Sequence, residues 1–193
     1  MDAEVWDVRR ISARVIGGIG AGLLAAATLT GCGALPFGSS STVSSVTESQ
    51  DGGGDVAFDA NIGDCVYLSG TTFDAEIDHA TCGQDPANYV VVAKAPNKEA
   101  CPSDVDQTYY VTRGSTQTGA LCLDTDWAVG ECMTVPSYGD PTHVECTSSD
   151  SDALRVLEII PGTTDDSRCP DATTNYYTYD ERQKVVCVEK LQG

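Results

Sequence analysis

Two kinds of apolar pattern run along the chain. From Val15 to Leu29 lies an uncharged stretch of 15 residues rich in Ala, Gly and Leu. From about Asn61 onward the apolar residues come in short β-branched and aromatic runs between turn residues, the length and spacing of strands. These runs predict strands at Asp64 to Leu68, around Ile77 to Cys82, at Tyr89 to Ala93 and at Ala120 to Leu123. A second set follows at Cys132 to Val135, His143 to Cys146, Ala153 to Ile160 and Lys184 to Glu189. Within the first set, Ser103 offers an N-cap with acidic residues after it, which predicts a short helix over residues 104–112. The matching segment of the second set predicts a turn or short helix at Pro170 to Tyr176.

The two sets read as one unit repeated. Gly63-Asp64-Cys65-Val66 is echoed by Gly130-Glu131-Cys132-Met133, and His79-Ala80-Thr81-Cys82 by His143-Val144-Glu145-Cys146. Tyr89-Val90-Val91-Val92 is echoed by Leu154-Arg155-Val156-Leu157, Cys101-Pro102 by Cys169-Pro170, Tyr109-Tyr110 by Tyr176-Tyr177, and Leu121-Cys122-Leu123 by Val186-Cys187-Val188. The fold class expected is therefore α+β: two tandem disulfide-stapled units, mainly short antiparallel strands with one short helix each. Residues 59–127 form the first unit and 128–193 the second.

The first apolar stretch has a different meaning. Arg9, Arg10 and Arg14 precede it and Leu29-Thr30-Gly31-Cys32 ends it, the basic, apolar, small-residue order of an export signal closing on a lipoprotein processing site. At 15 residues the run is short for a spanning helix, which wants about 20. Residues 1–31 are thus expected to be a signal peptide cut between Gly31 and Cys32, with the Cys32 thiol carrying a diacylglyceryl group. Two or three acyl chains anchor firmly, at roughly 0.8 kcal/mol per buried methylene. Export by the general route and by the twin-arginine route, through Arg9-Arg10, both stay open. The expected address is the extracytoplasmic face of the cell membrane.

Composition refines this picture in two places. Residues 32–58 are dominated by Ser, Gly, Thr and acidic side chains, too polar to offset their ordering entropy, and read as a disordered tether. Setting residues 1–31 aside removes three basic and three acidic residues, so eight Lys or Arg face 26 Asp or Glu and the whole net charge of −18 stays with the remainder. Without a basic cluster, nucleic acid is excluded as a partner.

Cys32 stands outside the repeat, which leaves Cys65, Cys82, Cys101, Cys122, Cys132, Cys146, Cys169 and Cys187. An even number on the exported side of a membrane reads as four disulfides. If each half closes on itself in the same way, three patterns remain, and we favour sequence neighbours: Cys65 with Cys82, Cys101 with Cys122, Cys132 with Cys146, Cys169 with Cys187. Oxidised cysteines cannot serve as zinc thiolates, so the two His-x-x-Cys units built on His79 and His143 do not imply a metal. Nor do Asp124-x-Asp126, Asp150-x-Asp152 and Asp165-Asp166 extend into a calcium loop. No nucleophile elbow and no C-x-x-C dithiol is present. We expect no cofactor, no metal and no enzyme.

Tyrosines supply the remaining lead. Tyr109, Tyr110, Tyr176 and Tyr177 are adjacent pairs, and adjacent side chains on a strand or helix do not all face one core, so these four are candidate partner contacts. The pattern Cys122-x-Asp124-x-Asp126-Trp127-x-Val129-Gly130-x-Cys132-Met133, with Gly63-Asp64-Cys65-Val66, Cys101-Pro102, Tyr109-Tyr110 and Val186-Cys187-Val188-Glu189, resembles the LppU family of actinobacterial lipoproteins over about residues 60–190. The resemblance implies a surface lipoprotein with no established activity. The expected function is an anchored, disulfide-rich binding or interaction module whose partner is an envelope protein or glycan. The alternatives are an envelope hydrolase using His79 or His143, or a small lipid or ligand carrier.

Overall fold

The computed structural model describes residues 2–5, 50–71 and 74–191. Cys32, the Gly31–Cys32 processing site, residues 6–31 of the expected signal and residues 32–49 of the expected tether lie outside them. Among the described residues there is no α-helix, and the class is β, not α+β. The helical turns among the described residues are two short 3-10 segments, Lys98–Ala100 and Asp166–Arg168.

The first sheet holds β1 (Asp2–Val5), β2 (Gln50–Asp51), β3 (Cys65–Thr71), β4 (Asp74–Ala80), β5 (Tyr89–Ala95), β6 (Gln107–Arg113) and β7 (Thr116–Thr125). Its order is β1-β6-β7-β5-β3-β4, with β2 parallel to β5 and every other neighbour antiparallel. The second holds β8 (Cys132–Thr134), β9 (Thr142–Val144), β10 (Ala153–Pro161), β11 (Asn175–Tyr179) and β12 (Lys184–Lys190), in the order β11-β12-β10-β8-β9. Five strands of each sheet are joined in the same way, β3 to β7 in the first matching β8 to β12 in the second. The bulges coincide as well: the β5–β7 register shifts at Val92 and the β10–β12 register at Leu157, the residues that the sequence repeat pairs.

The helix expected over 104–112 is mostly strand β6, and of the turn or short helix expected at Pro170 to Tyr176 the turn forms, with Thr173 N donating to Pro170 O at 2.9 Å, before β11 begins at Asn175; the reason is local. Gln107-Thr-Tyr-Tyr-Val-Thr-Arg113 and Asn175-Tyr-Tyr-Thr-Tyr179 are β-branched and aromatic, types that lose side-chain freedom in a helix and fit a pleated surface. Ser103 precedes no helix, and its backbone N–H donates to Glu181 Oε2 at 2.6 Å. The caps that form are Asn97, six residues before Ser103, which accepts from Ala100 N, and Asp165, which accepts from Ser167 N.

Each sheet is covered on both faces. In the first, Val66, Leu68, Tyr89, Val91, Tyr109, Leu121 and Leu123 form one core, and Ala93, Val105, Tyr110, Ala120 and Cys122 the other. In the second, Met133, Leu154, Val156, Tyr179, Val186 and Val188 pack with Trp127, while Ile160, Val185 and Cys187 pack on the opposite side. Four disulfides close the loops, Cys65–Cys82, Cys101–Cys122, Cys132–Cys146 and Cys169–Cys187, spanning 17, 21, 14 and 18 residues. Loops of this size each restrict the unfolded chain by about 3 kcal/mol.

Residues 50–58, assigned to the tether on composition, belong to the folded body. Asp55 N donates to Thr118 O at 2.8 Å, Gly52 N to Lys94 O at 2.8 Å, and Val56 is buried in the first core. Glycine makes the crossing feasible: a Cβ on Gly119 would lie 2.6 Å from Asp55 N, and Gly54 sits at φ 114° against Ala95 and Gly119. The Gly52–Gly54 run, which composition alone marks as flexible, is a close-approach site.

Candidate functional site at the junction of the two sheets

The acids that flank the central cysteines meet the few bases of the chain. Asp104 and Asp106 lie on the loop entering β6, while Asp124 closes β7 and Asp126 follows it. Across from them, the turn from β11 to β12 brings Tyr179, Arg182 and Lys184. Arg182 Nε donates to Asp104 Oδ1 at 2.7 Å, Nη1 to Asp124 Oδ2 at 2.7 Å, and Nη2 to the Asp104 carbonyl at 3.0 Å. Asp104 Oδ2 accepts the backbone N–H groups of Glu181 and Arg182 at 2.9 and 3.0 Å. Lys184 Nζ donates to the same Asp124 oxygen and lies 3.7 Å from the centre of the Tyr179 ring. Asp124 itself is fully buried.

A second chain of bonds runs through aromatics. Trp127 Nε1 donates to the Tyr179 hydroxyl at 2.8 Å, and that hydroxyl donates to Asp106 Oδ2 at 2.7 Å, which also accepts Thr125 N at 2.8 Å. Trp127 thus plugs the junction, with the Tyr177 ring 4.8 Å away. At the β3 side, Tyr89 donates from its hydroxyl to Asp140 Oδ1 at 2.8 Å. His143 Nε2 lies 3.1 Å from Asp126 Oδ2, which also accepts Gly83 N at 2.7 Å.

Burial dominates the electrostatics here. Desolvation, then the charge of Asp124, pushes the Asp106 carboxyl up to about 6. Burial, then Asp106 and Asp124, holds the Tyr179 phenol well above its usual value, and burial with Asp140 raises that of Tyr89. Tyr177 is pushed up to about 12 by burial, then by Asp106 and Asp152. Burial alone would lower the Arg182 guanidinium, but its bonds to Asp124 and Asp104 outweigh this and raise it.

The candidate partner contacts fare unevenly. Tyr109 and Tyr110 are 7% and 3% exposed, one in each core of the first sheet, and so do not present a contact surface. Tyr177 and Tyr176 divide the same way between the two cores of the second sheet and are half-buried. Adjacent tyrosines can both be internal because neither face of these strands is open. Among the described residues the exposed large apolar ones are Tyr138, Val129 and Tyr67, at 81%, 60% and 38%.

The histidines, equivalent in sequence, occupy different settings. His79 is exposed and stacks on Phe58 at 4.6 Å, whereas His143 is buried beside Asp126. Among the described residues Cys65, Cys82 and Asp126 bring ligand-type atoms within 4.8 Å of one another, but both sulfurs are in one disulfide and offer no thiolate.

In the sequence Asp124-x-Asp126 fits a solvated strand edge as well as it fits an acid–base pair, and Arg182 and Lys184 carry no motif. One signal was available: the repeat sets Arg182 and Lys184 opposite Gln117 and Gly119, so the second half gains two bases in a chain that has few. No family model, curated protein or solved structure matches the chain.

Proposed function

We propose that the chain is an exported lipoprotein, anchored through Cys32, whose two-sheet body serves as a binding module at the cell envelope. Its mechanism is recognition and not turnover. The address rests on the Leu29-Thr30-Gly31-Cys32 site and on the four disulfides, which persist in oxidising compartments. The observation that carries the binding reading is how the bases are spent. Arg182 and Lys184 are consumed inside the junction, and Arg113 and Arg155 pair at the surface with Asp55 and Glu189. The outer surface is left acidic around a body cross-linked against deformation, which suits an envelope protein with a basic contact face, or an amine-bearing glycan. The resemblance to LppU-type lipoproteins agrees with this address.

Photo-crosslinking from positions Tyr138, Val129 and Tyr67 of the full chain in isolated envelopes tests the reading. A discrete adduct at low ionic strength that fades at high salt is expected, since exposed charges are screened within about 8 Å at physiological salt. Absence of any adduct from all three positions refutes it.

A further inference from the structure

Five strands of the first sheet, β4-β3-β5-β7-β6, are each antiparallel to the next. The odd count leaves the two outer ones, β4 and β6, running the same way. Paired directly they would form a parallel ladder, the weaker kind. A sixth strand running the other way suits both edges, and Asp2–Val5 takes that place. β1 is antiparallel to β6, with Ala3 opposite Val111 and Val5 opposite Tyr109, and its Cα atoms come within 8 Å of those of β4. Neighbouring strands lie about 4.8 Å apart, so the seat between β6 and β4 is one strand wide.

Asp2–Val5 is not the lasting occupant in an exported chain, because cleavage at Cys32 removes it. The seat it leaves has two distinct faces. Tyr109 and Val111 of β6 turn to the first core, as do Ala75 and Ile77 of β4, so an inserted strand meets apolar neighbours on that side. The other face of β4 carries Asp74, Glu76 and Asp78, three exposed acids at alternate positions. From Gln107 to Thr112, β6 has neither a charge nor a proline, the devices that ordinarily protect an edge from pairing.

We propose that this seat is a strand-acceptor site of the mature protein, taking an extended segment of an envelope protein that is apolar at alternate positions and carries Lys or Arg between them. Main-chain hydrogen bonds to the β6 edge supply the affinity, and apolar side chains over Tyr109 and Val111 set the register. The β4 acids select a basic strand, since an acidic one meets like charge there. The inference rests on the anchored-lipoprotein reading in one respect, the removal of residues 1–31. It narrows the partner to a polypeptide, because a glycan does not extend a ladder.

The test uses the chain purified from membranes, its intact mass, and amide hydrogen exchange at those amides of Tyr109–Thr112 that face the seat. The probes are two peptides of seven residues, the length of β6, alternating Val with Lys in one and Val with Glu in the other. The Lys peptide at about ten times its Kd is expected to slow exchange roughly tenfold, and the Glu peptide at the same concentration to leave it unchanged. Glu76→Lys with Asp78→Lys, both at exposed positions, is expected to reverse that preference. A mass beginning at Cys32 with no slowing by either peptide, or with equal slowing by both, overturns the proposal and leaves the anchor reading standing. A mass that retains residues 1–31 overturns the anchor reading and, because Asp2–Val5 then keeps the seat, the proposal with it.

Discussion

Replacing Arg182 by Ala removes three bonds, two to carboxylates and one to a carbonyl, from a side chain 13% exposed. The partners left behind are unequal. Asp104 keeps two backbone donors, but Asp124 is fully buried and keeps only Lys184. Breaking a buried ion pair by removing one member costs about 3–5 kcal/mol, because the other charge stays desolvated. Lys184 relieves part of that, so we place Arg182→Ala at the lower end, about 3 kcal/mol, or a fall in thermal midpoint of roughly 10 °C for a body of this size. The assay is urea unfolding with the disulfides intact, run as a double-mutant cycle with Asp124→Ala. A coupling of at least about 1 kcal/mol is expected, since the two residues share one network. If Arg182→Ala unfolds within about 0.5 kcal/mol of the unsubstituted chain and the cycle is additive, the junction does not hold the sheets together.

Other consequences can be measured with simple variants. Tyr179→Phe takes the acceptor from Trp127 Nε1 and the donor from Asp106 Oδ2, and should cost about 1–3 kcal/mol with a shift in Trp127 fluorescence. Gly119→Val, whose side chain would enter the backbone at Asp55, should release residues 50–58 and make them susceptible to limited proteolysis while both disulfides of the first sheet stay closed. Cys101→Ser with Cys122→Ser should lower stability by about 3 kcal/mol in urea, and an unchanged midpoint would contradict a stapling role.

The strands were legible because alternation and β-branching act locally, and eight of the expected runs lie on β3 to β5, β7 to β10 and β12. Where reading failed, tertiary contacts had claimed the residues that local rules use. Asp104 and Asp106 look like acids of a first helical turn, yet their carboxylates serve Arg182, Glu181 and Tyr179 from 70 or more positions away. Tyr109 and Tyr110, as adjacent residues, look unable to share one core, and both are buried because the strand has two covered faces. The Gly52–Gly54 run looks like slack and is a passage under a steric limit. Asp124 is the sharpest case, since nothing within its own strand distinguishes a solvated carboxylate from the centre of a buried network.

The expected signal peptide includes Asp2–Val5, which pairs as β1 with β6, so cleavage at Cys32 would remove one edge strand and leave the β6 edge to the mature body. The intact mass of the protein purified from membranes addresses this together with the anchor and the disulfides. The expected mass is that of a chain beginning at Cys32, heavier by a diacylglyceryl group or a further acyl chain, and lighter by eight hydrogens for four disulfides. A mass that retains residues 1–31, or one with no acyl addition at Cys32, would contradict it.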